Sequence, residues 1–302
     1  MLGNPAIIIN NASGTDDKET LRDSLLEMFS SRGLVPEISF VHEGSELRPL
    51  AEQKLKEGHS PIIAGGGDGT ISTVASVLMD TGTPMGILPL GTLNHFAKDL
   101  KIPLDIEAAV DVILNGTIAG VDVGEVNEHV FINNSSLGLY PSIVHRRQHQ
   151  QHRLGWGKWP AFIWATLSVW RRYPFLDIRL VADTKELRRR TPFVFIGNNE
   201  YEMEGMRIGA RACLNAGKLS LHVAHRTGRW GLVRFAIRAL LGTLANEKDL
   251  DSICSEEIWI ETRHKLLRVA TDGEVTMMET PLHYRIHPEA LQVLVPGGKD
   301  EG

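Results

Sequence analysis

Along the first 120 positions, short apolar runs alternate with longer stretches whose apolar residues recur every third or fourth place. The runs at 6–10, 35–41, 62–64 and 85–89 predict strands buried in a parallel sheet. The stretches 20–31, 45–56, 70–79 and 106–114 predict helices; Leu21, Leu25, Met28 and Phe29 share one face of the first, and Gly33 ends it. This order predicts an α/β N-terminal domain, a parallel sheet with helices on both faces. Such sheets bind ligands at the carboxyl ends of their strands, and polar turns at 10–14, 65–70 and 91–94 fall there.

The rhythm changes near residue 120. A hairpin is expected from 120–126 and 129–133, followed by strands at 176–182, 191–197, 218–224, 257–261, 266–271 and 282–286. Helices are expected at 157–171 and 228–244. Strand following strand predicts a β-rich sandwich as the C-terminal domain. The expected domains are thus 1–120 and 121–289; the stretch 290–295 can return to either, which leaves open a return of 290–302 to the first.

Composition narrows the function. The chain has 302 residues, enough for two domains, and a net charge of −5, which argues against a nucleic-acid partner. Its two cysteines, Cys213 and Cys254, form neither a close metal pair nor a disulfide framework, so a reducing cytosol is expected. The first residues lack the basic region and long apolar run of a signal peptide, and with no stretch of about 20 apolar residues no transmembrane helix is expected. The expected location is cytoplasmic, with any membrane met from its inner surface.

The densest motif is Ile62-Ile63-Ala64-Gly65-Gly66-Gly67-Asp68-Gly69-Thr70, which reads as strand, glycine turn and helix start. Residues without Cβ let phosphate oxygens approach and tolerate positive φ, and the helix start adds unpaired N–H donors. Asp68 in that nest would repel a phosphate unless a metal ion or a hydroxyl lies between them. The pattern predicts nucleotide chemistry; the plain alternative is a turn that only joins strand to helix.

Three motifs in order carry a resemblance: Gly66-Gly67-Asp68-Gly69-Thr70, Pro89-Leu90-Gly91-Thr92-Leu93-Asn94-His95-Phe96-Ala97 and Thr271-Asp272-Gly273-Glu274. Together they resemble the diacylglycerol kinase catalytic-domain family, whose superfamily includes sphingosine and ceramide kinases. The bacterial branch is closest in layout. Asn10-Asn11-Ala12-Ser13-Gly14 is similar to its first turn, and Val121-Asp122-Val123-Gly124 with Phe131-Ile132-Asn133 to its domain junction. The resemblance implies an NAD kinase/phosphofructokinase-like α/β domain, a β-sandwich and an active site in the cleft between them. It implies transfer of the ATP γ-phosphate to a lipid hydroxyl, diacylglycerol-like, with Mg²⁺.

Under that resemblance Asn10, Asn11, Ser13, Gly14, Gly65, Gly66, Gly67, Asp68, Gly69, Thr70, Gly91, Thr92 and Asn94 bind the nucleotide. Asp68 and Asp122 suit the active-site Mg²⁺. Asp272 or Glu274 is the favoured base, with Asp68 as the alternative. Three departures stand out: Thr15-Asp16-Asp17 where a basic residue is common, His95 where Asp is common, and Leu214-Asn215-Ala216-Gly217-Lys218 where acids supply a second cation site. That second site is expected to be weak or absent, since hard cations favour charged oxygens.

Other patterns carry less. Positions 141–176 hold no acid but six Arg or Lys and four Trp, and Arg226, Arg229, Trp230, Arg234 and Arg238 repeat the theme. This suits a membrane interface, or tryptophans in the core beneath solvated arginines. His145, His149 and His152 share a helical spacing, which suits an exposed basic face better than a metal site. Asn198-Asn199-Glu200 resembles an NAD kinase motif and more simply ends a strand. Three functions remain: a lipid kinase at a membrane surface, a soluble small-molecule kinase of NAD kinase type, and a non-catalytic nucleotide- or lipid-binding regulator. A homodimer stays open.

Overall fold

The structure, a computed structural model, describes residues 3–11, 18–138, 175–183, 185–199, 201–204, 207–211, 216–224 and 250–297. Contacts divide the chain into two units, Met1–Val123 with Pro288–Gly302, and Gly124–His287.

The first unit runs β1 (Ala6–Asn10), α1 (Lys18–Ser30), β2 (Glu37–Val41), α2 (Leu47–Lys56), β3 (Ile62–Gly66), α3 (Asp68–Leu78), β4 (Met85–Pro89), α4 (His95–Asp99), α5 (Ile106–Asn115) and the start of β5 (Thr117–Val126). Its sheet has the order β2-β1-β3-β4, all parallel. The chain's last strand adds to β4, Val293 opposite Met85. Ile7, Ile8, Ile9, Ile62 and Ile63 are fully buried, each worth about 1.5–3 kcal/mol as apolar burial. Leu21, Leu25 and Phe29 of α1 and Ile71, Val74 and Leu78 of α3 are the buried faces of their helices. From β1 the chain steps outward to β2, then crosses to β3 on the other side. This reversal makes the β1/β3 edge the place where an open α/β sheet takes its ligand.

Some boundaries move. The helix expected at 45–56 starts as a 3-10 turn, Gly44–Glu46, because the Glu46 carboxylate accepts the N–H groups of His42 (3.0 Å) and Glu43 (3.2 Å). The third strand continues to Gly66, and the helix begins at Asp68 rather than Thr70.

The second unit is a β-sandwich. Its remaining strands are β6 (His129–Phe131), β7 (Asn134–Gly138), β8 (Leu176–Ala182), β9 (Lys185–Thr191), β10 (Phe193–Asn198), β11 (Tyr201–Glu204), β12 (Arg207–Arg211), β13 (Leu219–Ala224), β14 (Leu250–Ser255), β15 (Glu257–Thr262), β16 (Leu266–Thr271), β17 (Glu274–Glu279) and β18 (Leu282–Val295). One antiparallel sheet has the order β14-β13-β10-β7-β16-β17; the other layer follows β18-β15-β8-β9. Ile196, Leu221 and Val269 of the first meet Ile178, Leu180, Ile258, Ile260 and Tyr284 of the second in one core. The Tyr284 ring stands edge-on to Phe131, centroids 6.2 Å apart, and its hydroxyl lies 3.0 Å from Ser135 Oγ.

The expected hairpin at 120–133 forms between β5 and β6, with Val126 opposite His129. Six further strands, β7, β9, β11, β12, β14 and β17, occupy stretches for which no strand is expected. The helices expected at 157–171 and 228–244, and with them the basic tryptophan-rich segments and His145, His149 and His152, lie outside the described residues.

Candidate active site

At the end of β3 the glycines serve proximity. None of Gly65, Gly66, Gly67, Gly69 or Gly91 lies at positive φ, so the expected conformational reason for glycine is not the operative one. A Cβ on Gly91 would stand 2.4 Å from Gly67 Cα, and one on Gly66 would stand 2.6 Å from Thr70 Cβ. The two turns therefore touch through bare backbone. The first N–H to close an α3 bond is that of Ile71, to Gly67 O (3.1 Å). The N–H groups of Asp68, Gly69 and Thr70 thus have no partner within the helix, the arrangement that takes an anion at a helix N-terminus.

Side chains hold these turns in place. Asn10 Nδ2 donates to Thr70 Oγ1 (3.0 Å), tying the end of β1 to the nest. Asn11 Nδ2 lies 3.2 Å from His42 Nδ1, at the end of β2. Asn94 is buried at φ 50°; its Oδ1 accepts Gly91 N–H (3.0 Å), and its Nδ2 donates to Pro89 O (3.1 Å) and Gly91 O (2.8 Å). Asn94 therefore shapes the loop that presents Thr92, which is exposed. Asp68 Oδ1 accepts Phe96 N–H (3.2 Å) at the start of α4, while Oδ2 makes no hydrogen bond among the described residues. Ser13 and Gly14 lie outside the described residues.

Asp122 sits elsewhere in the first unit. It is fully buried, and its Oδ1 accepts Glu289 N–H (2.8 Å). Glu289 has φ 49°, and a Cβ on Gly120 would stand 2.9 Å from Glu289 Cβ. The Asp122 carboxylate thus secures an irregular step where β18 passes β5. Among the described residues, Glu37, Glu57 and His59 alone gather ligand atoms closely enough for a metal, and Lys54 Nζ already lies 2.6 Å from Glu37 and 2.7 Å from Glu57.

In the second unit, Thr271-Asp272-Gly273-Glu274 is the tight turn joining β16 to β17, Thr271 opposite Glu274. Asp272 (φ 48°) and Gly273 (φ 88°) are both left-handed, as a two-residue hairpin turn of the right twist requires. The Asp272 carboxylate accepts Ile132 N–H at Oδ2 (2.8 Å), and Asn133 N–H (2.8 Å) and Asn134 N–H (3.0 Å) at Oδ1. Asp272, expected with Glu274 as one of the two favoured bases, is engaged at both oxygens. The Glu274 carboxylate is solvent-facing and makes no hydrogen bond among the described residues. Crowding by surrounding protein, then the neighbouring Asp272 charge, raises its pKa above the ordinary carboxylate value. Sequence reading missed the Ile132–Asn134 donors, because backbone N–H groups carry no side-chain signature.

Comparisons with known proteins agree with this layout. Residues 4–126 match the diacylglycerol kinase catalytic domain, and residues 141–295 match the YegS C-terminal NAD kinase beta sandwich-like domain. The chain belongs to the diacylglycerol kinase catalytic-domain family and carries its YegS-type C-terminal domain. It is therefore a member of a family of kinases, phosphotransferases that use ATP. A "Probable lipid kinase YegS-like" protein of Yersinia pestis is 29% identical over 278 residues, covering 87% of this chain and 88% of that protein. An uncharacterized protein of Synechocystis, sll0036, is 28% identical over 256 residues; the match spans 83% of this chain but only 58% of that longer protein. A crystal structure of a diacylglycerol kinase from Bacillus anthracis shares the fold, with TM-score 0.69 at 18% identity and 97% coverage of both chains.

Proposed function

We propose that this chain transfers the γ-phosphate of ATP to a hydroxyl of a diacylglycerol-like lipid at a membrane surface. The observation that carries the reading is the division of labour at the β16–β17 turn. Asp272 is consumed by three backbone donors, which leaves Glu274 as an acid whose carboxylate has no hydrogen-bond partner among the described residues and whose pKa is raised. A general base works best when its pKa approaches the working pH. In this reading Glu274 takes the proton of the lipid hydroxyl, and Asp272 is a positioning residue that fixes the turn.

The phosphate end falls to the first unit. The helix N-terminus at Asp68–Thr70 and the exposed Thr92 hydroxyl supply donors. A Mg²⁺ accompanying ATP, when bound, neutralises phosphate charge. Asp68 Oδ2 fits that ion, being an oxygen with no protein partner among the described residues. Asp122 fits it less well, since it is fully buried and spends Oδ1 on Glu289 N–H. Membrane action rests on the basic tryptophan-rich segments of the sequence; among the described residues no helix is long and apolar enough to cross a bilayer.

The test incubates the protein with γ-labelled ATP, Mg²⁺ and mixed lipid vesicles containing diacylglycerol, beside Glu274→Gln and Asp68→Ala variants. Label in the lipid phase that is lost in Glu274→Gln while ATP binding persists supports the reading. Label appearing only in a soluble acceptor such as NAD would move it to the small-molecule kinase reading, which the NAD kinase-like likeness of the C-terminal domain favours. ATP binding with no transfer to any acceptor would overturn both.

A further inference from the structure

The second unit holds a cavity of about 580 Å³ at the far end of β17 from Glu274. It is an open hollow bordered by the β5–β6 turn, the end of β17 and the adjoining strands β15 and β18. Glu279 lies five residues beyond Glu274 in one extended strand, about 17 Å along it at the usual rise. The cavity is thus separate from the proposed base, and its volume lies in the range that takes a small organic ligand.

Its lining has a definite chemistry. Arg285, the only lysine or arginine among the lining residues, is committed to Glu125 at 2.6 Å, and Glu125 is also met by His287 at 3.0 Å. Two more carboxylates, Glu128 and Glu279, line it; neither makes a side-chain hydrogen bond or close ion pair among the described residues, and Glu128 feels the Arg285 charge at longer range. Between these acids lie apolar surfaces left to solvent: Trp259 is 37% and Met277 52% exposed. The indole of Trp259 is held flat against the His283 ring (centroids 3.8 Å apart), and its Nε1 donates to Glu257 (3.1 Å). Two carboxylates without a close counter-ion among the described residues, beside an indole and a thioether, suit a cation with an aliphatic body.

The frame is rigid. Asn127, at the turn before Glu128, donates from Nδ2 to Glu279 O (2.8 Å) and accepts His283 N–H at Oδ1 (2.8 Å). This ties the Glu128 turn to both ends of the β17–β18 connection, so the two acids are presented without loop reordering. Glu128 has φ 68°, at the turn position where glycine is preferred.

We propose that this cavity binds an aliphatic diamine or polyamine, its ammonium groups meeting Glu128 and Glu279 and its methylenes lying along Trp259 and Met277. Isothermal titration of the full chain with spermidine, at constant ionic strength, tests it. Binding is expected to weaken about tenfold for each of Glu128→Gln and Glu279→Gln, the usual scale for losing one charge-assisted hydrogen bond. Glu128→Gly is the sharper variant: it relieves the left-handed backbone, so the melting temperature should rise while spermidine affinity falls. Spermidine should also change the tryptophan fluorescence of the native chain and not that of Trp259→Phe. Equal affinity in the native and glutamine variants would overturn the proposal, as would matching heats from sodium chloride of the same ionic strength.

Discussion

Asp-Gly occurs at the start of α3 and again between β16 and β17, and the two copies behave differently. Asp68-Gly69 lies in a helical first turn where N–H groups remain unspent and the carboxylate keeps one oxygen open. Asp272-Gly273 is a left-handed hairpin turn whose carboxylate gathers three N–H groups from Ile132–Asn134. One turn keeps its donors unspent by the helix; the other absorbs donors, and the neighbouring Glu274 carboxylate has no hydrogen bond among the described residues. Identical dipeptides acquire opposite roles because the strand, helix or hairpin around them decides which backbone groups are left over.

The comparison can be broken first at Gly91. A Cβ there would meet the Gly67 backbone at 2.4 Å, and since neither side can rotate away, Gly91→Ala should abolish phosphotransfer and cost about 1–3 kcal/mol of stability as overpacking. Activity and thermal melts together read this out. Glu274→Gln comes next. It should lower kcat by about 10²–10⁴-fold, the usual contribution of a general base, with ATP affinity and melting temperature nearly unchanged.

Asp272→Asn should do the reverse in kind. It leaves Glu274 in place but weakens three charge-assisted bonds, so urea unfolding should show a loss of about 1–3 kcal/mol, with activity falling only as the turn loosens. If Asp272→Asn lowers kcat as much as Glu274→Gln without loss of stability, the assignment of roles is reversed.

The smallest effect concerns pH. Glu274 titrates above the ordinary carboxylate value, owing to crowding and then Asp272. In the proposed mechanism the ionised form is the base, so kcat/KM should rise as pH climbs through that raised value and then level off. Stability runs the opposite way. The folded chain holds this proton more tightly than the unfolded one, so the contribution is complete below the unfolded value and lost as pH rises through the folded one. Both dependences should disappear in Glu274→Gln.

Much of the first unit was legible because its signals are local. The isoleucine runs of β1 and β3 and the glycine cluster each announce strand and turn without help from distant residues. What the glycines do was not legible, since the closeness of Gly67 to Gly91 exists only once β3 and β4 lie side by side. The second unit hid more. β9, Lys185–Thr191, carries three successive arginines because it is an edge strand, where charge prevents unwanted pairing, and in sequence that reads as a solvated loop. β17 ends in Met277-Met278-Glu279, which hides its alternation, so Asp272-Gly273-Glu274 reads as a cluster of acids rather than as the turn of a hairpin. The partners of Asp272 lie some 140 positions away in sequence and are backbone atoms.

The long final strand has a consequence for biogenesis. Tyr284 of β18 belongs to the sandwich core, while Val293 of the same strand pairs with β4 of the parallel sheet. A nascent chain can therefore form β1 to β4 early but must wait for its last residues before that sheet gains its final strand. Removing 288–302 should leave the sandwich core residues present and strip the first unit of a strand, so cleavage before Pro288 would strike the part of the protein made first.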